Sequence, residues 1–67
     1  MEYTNSQIIE WIKEYIHDKN DRKMLYLKLV DNDTLQEIGD KLRLDRKTVW
    51  RRLQKAEKEL FSRITPG

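Results

Sequence analysis

Thr34–Leu53, TLQEIGDKLRLDRKTVWRRL, reads as two short helices joined by a tight turn, the second of them densely basic. Thr34 and Glu37 have the spacing of a capping box: the threonine hydroxyl accepts the Glu37 N–H, and the Glu37 carboxylate accepts the Thr34 N–H. That sets the start of a helix over 35–42, in which Leu35, Ile38 and Leu42 recur on one face. Gly39, beside Ile38, carries no side chain and leaves room for a second helix to approach. Arg43-Leu44-Asp45 breaks the period, and Asp45 is a good N-cap for the next helix. Val49, Leu53, Ala56 and Leu60 then step by four, three and four, one apolar stripe along a helix over 46–62. Arg46, Lys47, Trp50, Arg51 and Gln54 fall off that stripe, so they face solvent or a partner. The pattern is that of a helix-turn-helix.

Upstream, Met1 to Tyr3 are expected to fray. Thr4 with Gln7 offers a second capping box, and Ile8, Ile12 and Ile16, flanked by Ile9, Trp11 and Tyr15, predict an amphipathic helix over 5–18. Large aromatics at helical spacing usually join the core, which is the preferred reading of Trp11; an exposed anchor for a partner is the other. His17 stands alone near that helix's end and reads as a surface residue. Asp18 or Asn20 can cap a second helix over 21–30, whose Met24, Leu25, Leu27, Leu29 and Val30 cover more than one face. A helix so broadly apolar belongs in the middle. Asp31-Asn32-Asp33 reads as a turn, since these side chains bond their own backbone and tolerate left-handed conformations. As a calcium loop it fails, with Gln36 and Leu42 where glycine and a bidentate glutamate are required. The tail of the last helix, Ala56, Leu60, Phe61 and Ile64, must pack against the first helix or a second copy, and Arg63 to Gly67 is a natural stop.

The 67 residues support one domain spanning 1–67, all-α, with four helices and a long C-terminal recognition helix. A chain of this size buries only about 60% of the surface its unfolded form exposes, too little for a deep enzyme pocket. No cysteine is present, so neither disulfides nor a thiolate metal site is available. No apolar run reaches the length of about 20 residues that spans a membrane, and no signal-peptide plan opens the chain. A soluble cytoplasmic protein that makes no membrane contact is expected, and Met1 reads as a natural start.

The formal net charge is only +2, but its distribution is uneven. Residues 1–40 hold five Lys/Arg against nine Asp/Glu, net −4, whereas residues 41–58 hold eight against two, net +6. A charge run alone usually marks nothing more than a solvated helix. This one begins at the proposed turn, where phosphates would be met.

From Asp21 to Phe61, DRKMLYLKLVDNDTLQEIGDKLRLDRKTVWRRLQKAEKELF, the chain resembles the fourth conserved region of bacterial RNA polymerase sigma factors and the sigma-like helix-turn-helix of small phage regulators. The likeness covers 41 of 67 residues, through the leucine-rich helix, the acidic turn, Thr34 with Glu37-Ile38, then Thr48-Val49 and Arg52-Leu53. It implies promoter or operator binding through the helix that starts at Arg46. Two residues depart from the family pattern. Arg43 stands where glycine is usual, at a position that often needs a positive φ, and a non-glycine residue there carries of order 1 kcal/mol of strain. Asp45 stands where serine is common; it is either a plain N-cap or a specificity residue accepting from a cytosine amino group.

A helix fits the major groove of B-DNA, and the outward side chains of its first two turns reach base edges. Here these are Arg46, Lys47, Trp50, Arg51 and Gln54, with Arg51 the first choice for a guanine. Thr34, Arg43, Thr48, Arg52 and Lys55 are placed for phosphates, which orient without reading sequence. Trp50 either meets a thymine methyl or sugar, or folds back onto the domain. The expected function is sequence-specific binding of double-stranded DNA by a bacterial or phage transcription regulator, as a homodimer or in contact with RNA polymerase. The alternative is a protein-interaction module that docks an acidic partner on the basic helix, with Trp50 at its centre. No enzyme is expected: one histidine, two serines at opposite ends and no cysteine offer no catalytic nucleophile with its base, and no cofactor or metal site is evident.

Overall fold

The computed structural model describes residues 3–64, and over these it contains four helices and no strand. The first, α1, spans Asn5–Tyr15 behind the Thr4 capping box: the Gln7 N–H reaches Thr4 Oγ1 at 3.2 Å and the Thr4 N–H reaches Gln7 Oε1 at 3.1 Å. It stops three residues short of the expected end. Ile16 is already extended, at φ −109° and ψ 117°, and Asp18 must also be extended to cap the next helix. Asp18 Oδ1 accepts from the Asn20 N–H at 2.8 Å and the Asp21 N–H at 3.1 Å, so α2 begins at Lys19 rather than at 21.

Arg22 closes the end of α1 from the neighbouring helix. Its Nη2 donates to the Lys13 carbonyl at 2.6 Å and its Nε to the Ile16 carbonyl. These carbonyls belong to the last turn of a helix, where no intrahelical donor remains. A guanidinium supplies both bonds from one rigid fork and sets its charge at the negative end of the helix dipole.

The α-helical part of α2 ends at Leu25, and the chain continues as one wide π-helical turn over Tyr26–Val30. There the Asp31 N–H reaches back to the Tyr26 carbonyl at 3.1 Å, and the Asp33 N–H to the Leu27 carbonyl at 2.8 Å. All five residues of the wide turn are half-buried. Asn32 then takes φ 58°, the left-handed conformation its short polar side chain tolerates, and reverses the chain. Asp33 is buried and accepts from Lys41 Nζ at 2.6 Å, which ties the acidic turn to α3. This bond raises the Lys41 ammonium above its usual range.

Helix α3 spans Leu35–Leu42 and α4 spans Arg46–Ile64, two residues beyond the expected 62. The core holds Ile12 of the first helix and Ile16 just past its end, Met24 and Leu25 of the second, Ile38 of the third, and the whole Val49–Leu53–Ala56–Leu60 stripe. The second helix with its wide turn touches all three others, the central position its composition implied. The tail of α4 packs within the chain through Ala56 and Leu60, both buried, and α4 lies against α1, whereas Phe61, expected to pack with them, is exposed and Ile64 only half-buried. Trp11 packs partly buried on the core. Tyr3 corrects the expectation of fraying, since its ring meets Trp11 edge-on with centroids 4.8 Å apart. Met1, Glu2 and the stop at Thr65–Gly67 lie outside the described residues.

Removing the Arg22 fork leaves two carbonyls of the last turn to solvent. Arg22→Ala is expected to lower unfolding stability by about 2 kcal/mol, as hydrogen bonds to charged groups contribute about 1.5–3 kcal/mol each before solvent takes over. Urea titration checks this, and Arg22→Lys, with a point charge in place of the fork, should recover less than half of the loss.

Candidate nucleic-acid interface

The capping box opens α3 as the spacing predicted: the Glu37 N–H meets Thr34 Oγ1 at 3.1 Å and the Thr34 N–H meets Glu37 Oε1 at 2.8 Å. At the other end Arg43 adopts φ 57° and ψ 45°, the left-handed conformation in which a side chain is strained. The Leu44 N–H turns back to the Gly39 carbonyl at 2.8 Å, a six-to-one bond that closes the helix as in a Schellman motif.

Gly39 is required by this turn more than by the second helix. A Cβ there would lie 2.7 Å from the Leu44 carbonyl oxygen, a backbone atom, and at an ordinary 3.7 Å from Val49 Cγ2. The chain passes directly over the glycine and launches α4. Asp45 acts as the cap, Oδ2 accepting from the Lys47 N–H at 3.2 Å, while the Val49 N–H bonds the Asp45 carbonyl at 3.0 Å.

With Val49 and Leu53 held in the core, the opposite side of α4 faces water. Arg46, Lys47, Trp50, Arg51 and Gln54 are all exposed. Successive residues turn by about 100°, so Lys47, Arg51 and Gln54 share the side away from the core. The two turns that fit a groove extend about 11 Å at 5.4 Å each. From Arg46 to Ala56 the helix carries five cations and no carboxylate. Of the residues predicted to meet phosphates, Thr34, Arg43, Arg52 and Lys55 are exposed, whereas Thr48 is half-buried.

Trp50 neither enters the core nor stands clear of the domain. It is 51% exposed and lies beside Leu35 of α3, lining with Arg46 and Lys47 a shallow cleft of about 280 Å³. On its other side it borders a cleft of about 230 Å³ with Lys28, Leu35, Gln54 and Glu57. Burial pushes the Glu57 carboxyl above its usual range, against the opposing pull of Lys28. Arg43 and Arg52 come together on the opposite flank, where Lys23 and Lys41 join them. Sequence reading missed Lys23 and Lys28, because nothing in a linear pattern places α2 and its wide turn beside α4, and it missed Lys41 and Glu57, which lie outside the turns of α4 it assigned to a groove. Among the described residues, no helix is long and apolar enough to cross a membrane. No known protein family, curated protein or solved structure matches this chain.

Two substitutions at the turn should act in opposite directions. Arg43→Gly relieves a left-handed side chain and is expected to stabilise by about 0.5–1 kcal/mol, whereas Gly39→Ala drives a methyl into backbone and should cost about 1–3 kcal/mol. Thermal melts of both variants check the pair.

Glu57 gives a pH test. Its folded-state carboxyl ionises at higher pH than in the unfolded chain, so its ionised form weakens the fold, fully so only above the raised value. Glu57→Gln should therefore be more stable than the parent at pH 7, and the difference should vanish below about pH 4, where the carboxyl is protonated in both states. Denaturant midpoints at the two pH values read it.

Proposed function

We propose that this chain is a sequence-specific double-stranded DNA-binding regulator of transcription that lays the first two turns of α4 in the major groove. The observation that carries this reading is the exposed side of α4 from Arg46 to Lys55, cationic and free of carboxylates, set directly after a tight turn and backed by a buried apolar stripe. A helix presented in this way fits a groove about 12 Å wide, and its cations replace the counterions that phosphates release.

Within that arrangement Arg51 is the principal base reader. It projects from the middle of the exposed side, and its fork can bridge guanine O6 and N7, a contact that discriminates by about 1–3 kcal/mol. Arg46, Lys47 and Gln54 flank it, Gln54 with the amide that suits adenine. Trp50, half-covered by Leu35, would offer its remaining edge to a thymine methyl or a deoxyribose. Thr34, at the start of α3, and Lys55, one turn beyond Arg51, would hold phosphates. Asp45, engaged as a cap, is assigned structure rather than specificity. Pairing of two chains on a palindrome, or contact with RNA polymerase, would lengthen the site read beyond what one helix reaches.

Selection from random duplex DNA at two salt concentrations tests this. One motif should be enriched, and affinity should fall steeply with salt. Arg51→Ala should then weaken the selected site by about 1–3 kcal/mol more than random duplex. Equal losses on both would reduce Arg51 to a phosphate contact. An absence of duplex binding at low salt would turn attention to the half-exposed Trp50 as the anchor for an acidic protein partner.

A further inference from the structure

A cleft of about 370 Å³ opens where the start of α2, the α3–α4 turn and the second turn of α4 meet. Lys23 enters it from α2, Lys41 from α3, Arg43 from the turn and Arg52 from α4, with Asn20 and Leu44 beside them. All four cationic side chains are exposed. Carboxylates lie near the group: Asp33 is bonded to Lys41 at 2.6 Å, with Asp31 and Glu37 also acting on that ammonium, and Asp21 feels the charge of Arg52. Among the described residues only Lys41 of the four forms an ion pair, so Lys23, Arg43 and Arg52 have no carboxylate within 4.0 Å.

Cations gathered at one place repel one another, weakly where water screens them. Three helices and a turn nevertheless deliver these side chains to one concavity. The arrangement is favourable once a multiply coordinated anion sits among them. Lysine ammonium groups give freely rotating donors, and each arginine gives a planar fork matched to two oxygens of a phosphate.

We propose that this cleft is a phosphate-binding site, and that its occupant is a backbone phosphate of the DNA strand bordering the groove. The choice of occupant rests on the proposed DNA binding. It follows from the helix geometry: Arg52 is one position, about 100°, round from Arg51. With Arg51 directed at base edges, Arg52 and the cleft behind it face the sugar-phosphate wall on one side. Lys23 makes the contact non-local, so that α2 as well as the helix-turn-helix grips the strand. A free phosphate ester presents the same oxygens, and the experiment separates the two sources.

The test uses the full chain. Amide resonances are followed while inorganic phosphate replaces chloride at constant ionic strength, for the parent, for Lys23→Gln/Arg52→Gln, and for Lys13→Gln, which removes a cation outside the cleft. Lys23 and Arg52 are exposed and carry no bond that shapes the fold, and unchanged melting of the double variant verifies this. Lys23→Gln/Arg52→Lys, which returns one cation, should partly restore binding. Shifts confined to the cleft, at least tenfold weaker in the double variant and unchanged in Lys13→Gln, are expected. Shifts scattered over all cations, or surviving in the double variant, overturn the site.

Duplex binding over a salt series then assigns the source. The double variant should lose affinity by about the same factor for every sequence, and the slope of log K against log salt should fall by about one for each phosphate no longer neutralised. Unchanged duplex affinity and slope would overturn the backbone as occupant and leave a free phosphate ester. Phosphate shifts without any duplex binding by the parent would leave the cleft standing and remove the DNA reading instead.

Discussion

Everything the candidate interface presents depends on one close approach, that of the Leu44 carbonyl oxygen over the Cα of Gly39. A methyl at this point would stand 2.7 Å from that oxygen. Because the backbone can come so near, α3 ends abruptly, Arg43 is bent into the left-handed region, and α4 starts only four residues after Leu42. Val49 can then reach the core beside Gly39 while Arg51 is turned outward. Widening this turn would rotate α4, moving its apolar stripe out of register with the core and its cations out of register with any ligand.

The rest of the fold is economical in the same sense. Among the described residues nine apolar side chains form the buried core, four from α4, two from α2, one each from α1 and α3, and Ile16 from the α1–α2 link. With so small a core, stability is marginal on general grounds, and the helix ends matter in proportion. Both capping boxes, the Asp18 and Asp45 caps and the Arg22 fork each satisfy backbone groups that a short helix leaves open. Short helices have the greatest share of such groups, and each cap, worth about 1 kcal/mol, is a sizeable part of a marginal net stability.

What could be read from the sequence was what depends on neighbours within about four positions. Thr34 with Glu37, Thr4 with Gln7, Asp45 before a basic helix, and the Val49 to Leu60 stripe are all of this kind, and Asn32 in the acidic turn took the left-handed conformation its chemistry allows. The end of α1 was misjudged because the Asp18 cap of α2 competed with a helical pattern that runs on to Ile16. The wide turn at Tyr26–Val30 has no local signature, since its spacing is also compatible with an ordinary helix. Gly39 was identified as a place of close approach, but the chain that approaches is its own turn, a fact about backbone path rather than periodicity. Of the ten residues predicted to contact DNA, nine are exposed, and Thr48, next to the buried Val49, is half-buried.

The two sides of α4 differ in a way that charge counts along the chain could not express. One side carries the half-exposed ring of Trp50 beside Leu35, with Arg46 and Lys47 around it and Glu57 and Lys28 beyond. The other gathers Lys23, Lys41, Arg43 and Arg52. A helix lying symmetrically in a groove would meet a phosphate strand on each side, and two like flanks would let it settle in either orientation. An unequal pair of flanks removes that freedom. The side with the two arginine forks of Arg43 and Arg52 would be drawn to one backbone, while the indole, poorly suited to a phosphate, would favour the sugar edge or the groove floor opposite. Orientation on a duplex would then be set by the difference between the flanks, leaving Arg51 and Gln54 on the outward side to distinguish sequence.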